Sequence, residues 1–388
     1  SILFSLMKLK INSTKVSKFS LLFSCLILYS MSSEMILKKI LSPAVSIIKF
    51  AILFFIQFEI AYSQENFNKY FSNEKGIVSI MYHRFDESKY PSTNIQMDIF
   101  KKHINNIHLS GYEFLDPKLL PKIFFEEKLE KKFLLTIDDG YDSFYENAWP
   151  FLKVNKIPFI IFISTEAIGK KGYMEWSQIK NIEKYDFVSI GNHSHSHDYL
   201  VNFSFDDFKS DIKKSIEIFE KNLGYNPIFF SYPFGEWSLD QKKFISKNFD
   251  FAFGQHSGVI DLNKDIYELP RFPINEKYGD LERFKFLVNL LPFQYKNVYP
   301  EEKIIEENNP PKMKVEFFDE QKIKGINCFS NEGGGWDKSK LEIKNNILKI
   351  NFRDKFNTRR GRINCSIKDE EGWRWFGIQF VLKNIKEN

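Results

Sequence analysis

Six short apolar runs, separated by segments of helical periodicity, restrict this chain more than any other feature. They cover 76–82, 133–137, 159–163, 187–190, 228–232 and 251–253. Alternation of strand and helix implies a parallel sheet with crossover helices. The first helix is expected from about Asp98 to Ser110, with Phe100, Ile104 and Ile107 on one face and Gly111 as its stop. His103 and His108 on it read as ordinary surface residues. A second helix opens at Ser204 with Asp207 in capping-box spacing. Its stripe of Phe208, Ile212, Ile216, Phe219 and Leu223 ends at Gly224, and that stripe is packing, not a binding face.

The strand ends carry the chemistry. His83, Asp138, His193, Pro233 and His256 each follow such a run, so one pocket can collect all of them. Catalytic groups of barrel enzymes gather at the C-terminal ends of strands, which makes a distorted (β/α) barrel the expected fold. Three of the seven histidines fall in Gly191–His197. His193 and His197 are four apart, so on one turn of helix or a tight helical loop their rings point the same way, while His195 points elsewhere. Two neutral imidazoles and one carboxylate form a three-ligand set that suits zinc and leaves a position for water. The adjacent Asp138 and Asp139 then divide the work, one on the metal and one taking a proton. The plainer alternative is an Asp pair capping a helix and a solvated His loop. His83 lines the substrate pocket or is a satisfied structural histidine.

Thr136-Ile137-Asp138-Asp139-Gly140 resembles the T-F-D-D-G motif of polysaccharide deacetylases related to the chitooligosaccharide deacetylase of nodulation. Asn192–His197 is similar to their N-H-[ST]-x-x-H motif, and Ser231-Tyr232-Pro233-Phe234-Gly235 to their R-x-P-Y-G motif. The three occur in family order within about 77–272. The resemblance implies Asp139, His193 and His197 as metal ligands and Asp138 as general base. It implies a substrate and oxyanion wall from Tyr232, Pro233, Phe234 and Gly235. Ser231 stands where many members have the Arg that orients the catalytic Asp. Arg271 in Leu269-Pro270-Arg271-Phe272 replaces it, as in an exported subgroup with Y-P-[YF]-G, or forms a surface salt bridge. The family's L-x-x-H motif, which carries a catalytic His, has no clean copy here. His256 is the remaining candidate acid.

Charge and the N-terminus bound the partners. Residues 1–63 hold seven Lys and two Glu, which accounts for the whole formal charge of +5. A neutral remainder argues against a nucleic-acid partner. Met35-Ile36-Leu37-Lys38-Lys39, the apolar run 47–60 and Ala61-Tyr62-Ser63 follow one another in the order of a secretory signal. Export is expected, to the periplasm, cell envelope or outside, with membrane contact only through an uncleaved N-terminal segment. Met35 is the expected start and Cys25 a weak lipidation site. Oligomeric state is not legible.

Beyond Asn308-Asn309-Pro310-Pro311 the periodicity changes to short strands at 315–318, 326–329, 341–343, 347–352, 362–367 and 373–380. The organisation read from this is a leader at 1–63, a deacetylase barrel at 64–308 and a small all-β domain at 312–388. Cys328 and Cys365 both lie in the last and are candidates for a disulfide if their Cα atoms approach. Trp336, Trp373 and Trp375 either stack on sugar rings or fill the β core.

The reading is an exported N-deacetylase that uses one divalent cation, zinc with cobalt or nickel as alternatives, to release acetate from an N-acetylated glycan. Three rivals stand beside it: an Fe(II) oxygenase built on the same ligand trio, a glycan-binding protein without turnover, and a hydrolase of a small N-acyl or cyclic amide.

Overall fold

The computed structural model describes residues 76–126, 132–383 and 385. The signal segment, Met35 and Cys25 lie outside the described residues. Among the described residues no helix is long and apolar enough to cross a membrane.

The first sheet contains β1 (Ile77–Tyr82), β2 (Lys132–Ile137), β3 (Phe159–Ile163), β4 (Val188–Asn192), β5 (Phe229–Ser231), β6 (Phe251–Phe253), β7 (Val259–Ile260) and β8 (Phe272–Pro273). Its order is β7-β1-β2-β3-β4-β5-β6, with β8 also on β1, and every pairing except β7 with β1 is parallel. Leu269 bridges to Phe253 of β6 while Phe272 and Pro273 pair with Ile80 and Met81. The short run 269–273 therefore joins the two edges and closes a distorted barrel. Among the described residues, this run covers the facing edges of β6 and β1.

Strands β1, β3 and β4 are buried at every position, which explains their uninterrupted apolar sequences. Inside the barrel lie Ile77, Leu134, Ile160, Phe162, Phe229, Phe251 and Phe253. The opposite face, including Val78, Ile80, Phe133, Leu135, Ile161 and Ile190, packs under the helices. Each such side chain contributes about 1.5–3 kcal/mol on burial. Outside the barrel run α1 (Met97–Leu109), α2 (Trp149–Asn155), α3 (Trp176–Glu183), α4 (Phe205–Leu223), α5 (Leu239–Ile245) and α6 (Leu281–Val288). In α4 the Ser204 hydroxyl accepts the Asp207 N–H at 3.2 Å, and Gly224 ends the helix at φ 85°.

One expectation is overturned in α1. His108 is exposed, but His103 is completely buried. Its Nε2–H donates to the Gly279 carbonyl at 2.8 Å, its Nδ1 faces the Tyr82 hydroxyl at 2.9 Å, and its ring stacks on Phe284 at 3.9 Å. It sits one position from Ile104 on the core side, and two hydrogen bonds satisfy a polar ring there.

The C-terminal part is a two-sheet sandwich. Its strands are β9 (Leu291–Pro292), β10 (Tyr295–Tyr299), β11 (Ile304–Ile305), β12 (Met313–Phe317), β13 (Asn327–Ser330), β14 (Asp337–Lys338), β15 (Lys340–Lys344), β16 (Ile347–Asn351), β17 (Arg360–Lys368) and β18 (Trp373–Leu382). One sheet has the order β9-β18-β17-β13-β14 with β11 on β18; the other is β10-β12-β16-β15. The pairing draws in β9, β10 and β11, upstream of the Asn308–Pro311 break, because the first strand of each sheet must find its hydrogen bonds beyond that break. Cys328 and Cys365 stand directly opposite one another with Cα atoms 4.1 Å apart and are joined as a disulfide inside the sandwich core. All these described residues belong to one compact unit.

Candidate functional site

Strand register brings the site together. Tyr82 is opposite Ile137, so His83 and Asp138 leave the barrel side by side. Asn192 is opposite both Ile163 and Phe230, and Ser231 is opposite Phe253, which sets His193 and the third motif around the same mouth.

Asp139, His193 and His197 present one ligand atom each within 4.8 Å of one another. The Asp139 Oδ1 lies 3.4 Å from His193 Nε2 and 3.1 Å from His197 Nε2. The sequence reading reached this pairing through a turn of helix or a tight helical loop, and the backbone corrects the helical geometry in that reason. After Asn192 the chain is a loop, and Ser194 at φ 68° and His197 at φ 56° turn the second ring back. Asp211 of α4 accepts the N–H groups of His195 and Ser196 at 2.9 and 3.0 Å, and Asn192 accepts that of Ser194 at 2.8 Å. His195 points away, to the Thr165 hydroxyl at 2.9 Å.

The donor set fits a divalent cation. His193 Nδ1–H donates to the Ser231 carbonyl at 2.7 Å, which fixes the tautomer and leaves Nε2 with a lone pair. That Nε2 and Asp139 Oδ1 are buried without hydrogen-bond partners, a costly state unless another ligand joins them. Burial opposes ionisation of Asp139, but the two histidines outweigh it and hold its carboxyl well below the usual range. For His197, burial pulls the ring down and the Asp139 carboxylate reverses the sign, so its pKa is raised.

Asp138 is completely buried and has a different partner. Arg271 Nη1 and Nη2 donate to its two oxygens at 2.7 and 2.8 Å. The same guanidinium reaches the Gly254 carbonyl, the Thr136 hydroxyl and the Ser231 hydroxyl at 2.9, 3.2 and 2.8 Å. Burial raises the Asp138 pKa, yet the charges of Arg271 and His193 bring it below the ordinary value. Arg271 is itself wholly buried, so it is no surface salt bridge.

The other expected residues distribute unevenly. Phe234, at φ 59°, sets its ring 4.8 Å from His197 and stacks on Tyr199 at 4.3 Å. Gly235 has φ 67°, and a Cβ there would lie 2.5 Å from the Gln255 N, so glycine is required. Pro233 is buried at the start of this turn. The Tyr232 ring packs on Phe230 and Trp237 in the core. His256 is half-buried, and burial together with Lys303, Lys264, Lys242 and Arg271 pushes its pKa down to about 3. A neutral imidazole lacks the extra proton a general acid gives up. His83, like His193 and His197, has both Asp138 and Asp139 in its surroundings; burial lowers its pKa against their pull, and its Nδ1 has no partner.

Sequence reasoning missed Tyr141, whose hydroxyl is within electrostatic reach of Asp139 and whose ring lies under Arg84 at 3.4 Å. It missed Asp211 and Tyr199 as well. None carries a spacing signal, because each meets the site across the fold. The same holds for Arg359, whose guanidinium binds Glu236 at 2.9, 3.1 and 2.6 Å and covers Tyr199 at 3.8 Å. Gln379 Nε2 donates to the carbonyls of Phe234 and Gly235 at 3.0 and 3.2 Å, so the sandwich braces the third motif directly.

Residues 126–251 match the family model for polysaccharide deacetylase. That span contains Asp138, Asp139, His193, His197 and Phe234 and stops before His256 and Arg271. The chain is 26% identical over 199 residues to the Bacillus subtilis (strain 168) protein YxkH, named as a candidate polysaccharide deacetylase, covering 50% of this chain and 70% of that one. It is 25% identical over 232 residues to the poly-beta-1,6-N-acetyl-D-glucosamine N-deacetylase of Staphylococcus aureus (strain N315), over 52% of this chain and 80% of that one. A solved polysaccharide deacetylase from Bacillus cereus superposes with TM-score 0.50 at 20% identity, over 55% of this chain and 69% of that one. The de-N-acetylase of Aggregatibacter actinomycetemcomitans gives TM-score 0.50 at 15% identity, over 54% and 99%. At these identities the two structures speak for the barrel fold alone.

Proposed function

Because this chain carries a domain of the polysaccharide deacetylase family, we propose that it is a hydrolase removing N-acetyl groups from an N-acetylated glycan. The products are acetate and a free amino sugar. The observation that carries this reading is the division of labour between neighbouring carboxylates. Asp139 faces two histidines and Asp138 faces one arginine.

A divalent cation held by Asp139, His193 and His197 supplies Lewis acidity toward water and the acetyl carbonyl when bound. Zinc suits two imidazoles and a carboxylate with a position left open. Asp138, kept ionised and in one orientation by Arg271, takes the proton of the attacking water. The backbone N–H of Phe234 is assigned to the oxyanion. His83 is assigned the proton for the leaving amine, since both carboxylates pull its pKa up against burial, whereas His256 faces lysines and Arg271, which add to the effect of burial. Arg271, just before β8, supplies the support that Ser231 lacks, which removes one of the two motives for reading the site as impaired; the missing L-x-x-H is the other.

We assign export to the protein, with the leader at 1–63 and the barrel from residue 64 as its organisation, the all-β part taking its first strands from 291–305 rather than from 312. The disulfide supports an oxidising compartment. N-terminal sequencing of exported material should begin near Gln64, and cytoplasmic protein retaining Met35 would overturn this assignment.

Acetate release tests the function, using chitin oligomers, poly-N-acetylglucosamine and peptidoglycan fragments with and without chelator. Release that is abolished by chelator and restored by zinc is expected. Hydrolysis only of small N-acyl or cyclic amides would replace the glycan reading, and no hydrolysis by metal-loaded protein would refute it.

A further inference from the structure

The three C-terminal tryptophans do not fill the sandwich core. Along β17 burial alternates strictly, with Gly361, Ile363, Cys365 and Ile367 inside and Arg360, Arg362, Asn364 and Ser366 outside. The register pairs Ser366 with Trp375, Asn364 with Gly377 and Arg362 with Gln379, so these share the face turned away from the sandwich core; its β18 part, with Gly377 and Gln379 buried, is covered by the barrel, and the open part lies over β13 and β14. Phe329 of β13 pairs with Asn364 on one side and Lys338 of β14 on the other. Trp336 precedes β14 two residues before Lys338 and continues that face. Trp336 is 48% exposed, Phe329 44% and Trp373 39%, which is unusual for aromatic side chains and sets them apart from the buried core of the same sheet.

This face begins at the catalytic mouth. Trp375 Nε1 donates to the Ser257 hydroxyl at 2.8 Å, beside His256, and Asn364 accepts from the same hydroxyl at 2.8 Å. Gln379 holds Phe234, and the Arg360 guanidinium lies 5.6 Å from the Phe234 ring, which touches His197. From Gln379 the row crosses Arg362 of β17 to the β14 edge at Trp336. At about 4.8 Å per strand, three steps span roughly 14 Å. That distance accommodates a few sugar rings in extended form.

We propose that the outer face of this sheet is an extended glycan subsite, continuous with the deacetylation centre, that holds the polymer several residues from the reacting sugar. This rests on the reading of the centre as a glycan deacetylase. Phe329 and Trp336 supply flat apolar surfaces for the C–H faces of sugar rings. Asn364 and the exposed Lys338, both in register with Phe329, supply hydrogen-bond donors for hydroxyl and acetamide oxygens. The mix of exposed rings with amide and cationic donors fits a carbohydrate chain better than a protein interface, whose centre is depleted in charge.

The test uses the full chain with Phe329→Ala and Trp336→Ala combined. Both side chains are solvent-facing, so folding and metal content stay intact, which circular dichroism and metal analysis check. Acetate release from a hexamer or longer poly-N-acetylglucosamine should show KM raised about tenfold with kcat unchanged. Release from a dimer, too short to reach the face, should stay within about twofold of the parent. Trp336→Phe, which keeps a stacking ring, should restore most of the loss. Equal KM on long chains in parent and variant, or equal loss on dimer and polymer, overturns the proposal. Binding of the hexamer, followed by isothermal titration, is a second readout that needs no turnover. If the parent releases no acetate from any glycan yet binds hexamer through Trp336, the catalytic reading fails and the subsite stands. If the parent turns over glycan but hexamer affinity ignores both aromatics, the subsite fails alone.

Discussion

Replacing Arg271 by Met should destabilise the protein by about 3–5 kcal/mol, because it strands a buried carboxylate. The magnitude follows from the contacts. Arg271 and Asp138 are both fully buried and share two charge-assisted hydrogen bonds at 2.7 and 2.8 Å, each worth about 1.5–3 kcal/mol. Met retains an apolar stem near Phe162 and Phe253, whose ring centroids lie 5.3 and 5.9 Å from the guanidinium, so packing changes little. Urea unfolding of metal-free protein at pH 7 measures the loss. Adding Asp138→Asn to Arg271→Met should recover most of it, since no charge is then left uncompensated. The sign with pH follows from the depressed Asp138 pKa. Its contribution is present above the unfolded value of about 3.9 and is lost as pH falls toward the folded pKa, so Arg271→Met should flatten that acid limb. A double variant as unstable as the single one would mean that the guanidinium acts by packing, and a single variant within about 1 kcal/mol of the parent would refute the charge argument altogether.

Three further outcomes are expected. Asp138→Asn should keep its metal and lose about 10² to 10⁴ in kcat, whereas His193→Ala and His197→Ala should lose metal and His195→Ala should not; metal content per chain and acetate release decide this. His103 is buried with its pKa lowered to about 4, so it is neutral in the fold and protonates on unfolding. It should withdraw about 3 kcal/mol as pH falls from 6.5 to 4; His103→Gln should lose that pH dependence, as read by urea midpoints at pH 7 and 4.5. Reduction of Cys328–Cys365, which closes a 37-residue separation, should cost the sandwich about 4 kcal/mol, seen as a lowered melting temperature in dithiothreitol that a Cys328→Ala/Cys365→Ala variant reproduces without reductant.

The sequence by itself determined the elements and the local chemistry. Parallel strands buried on both faces must be apolar throughout, so the runs at 77–82, 132–137 and 159–163 were legible to within a residue or so. The Asp pair and the spaced histidines were legible because the side chains that meet at the site come from a few consecutive residues in each motif. Only the tertiary structure decided what depends on contact between distant segments. Arg271 lies 133 residues from Asp138 and meets it because the run 269–273 closes the barrel against β1. The rings of His193 and His197 converge through left-handed loop residues propped by Asp211, which no helical periodicity encodes. His103 had the polarity of a surface residue, and its burial was settled by Tyr82, Gly279 and Phe284 arriving from three other places in the chain. The tryptophans were ambiguous for the same reason. Alternation along a strand says which residues share a face, but whether that face meets a second sheet, a barrel rim or water is a property of how the sheets are stacked.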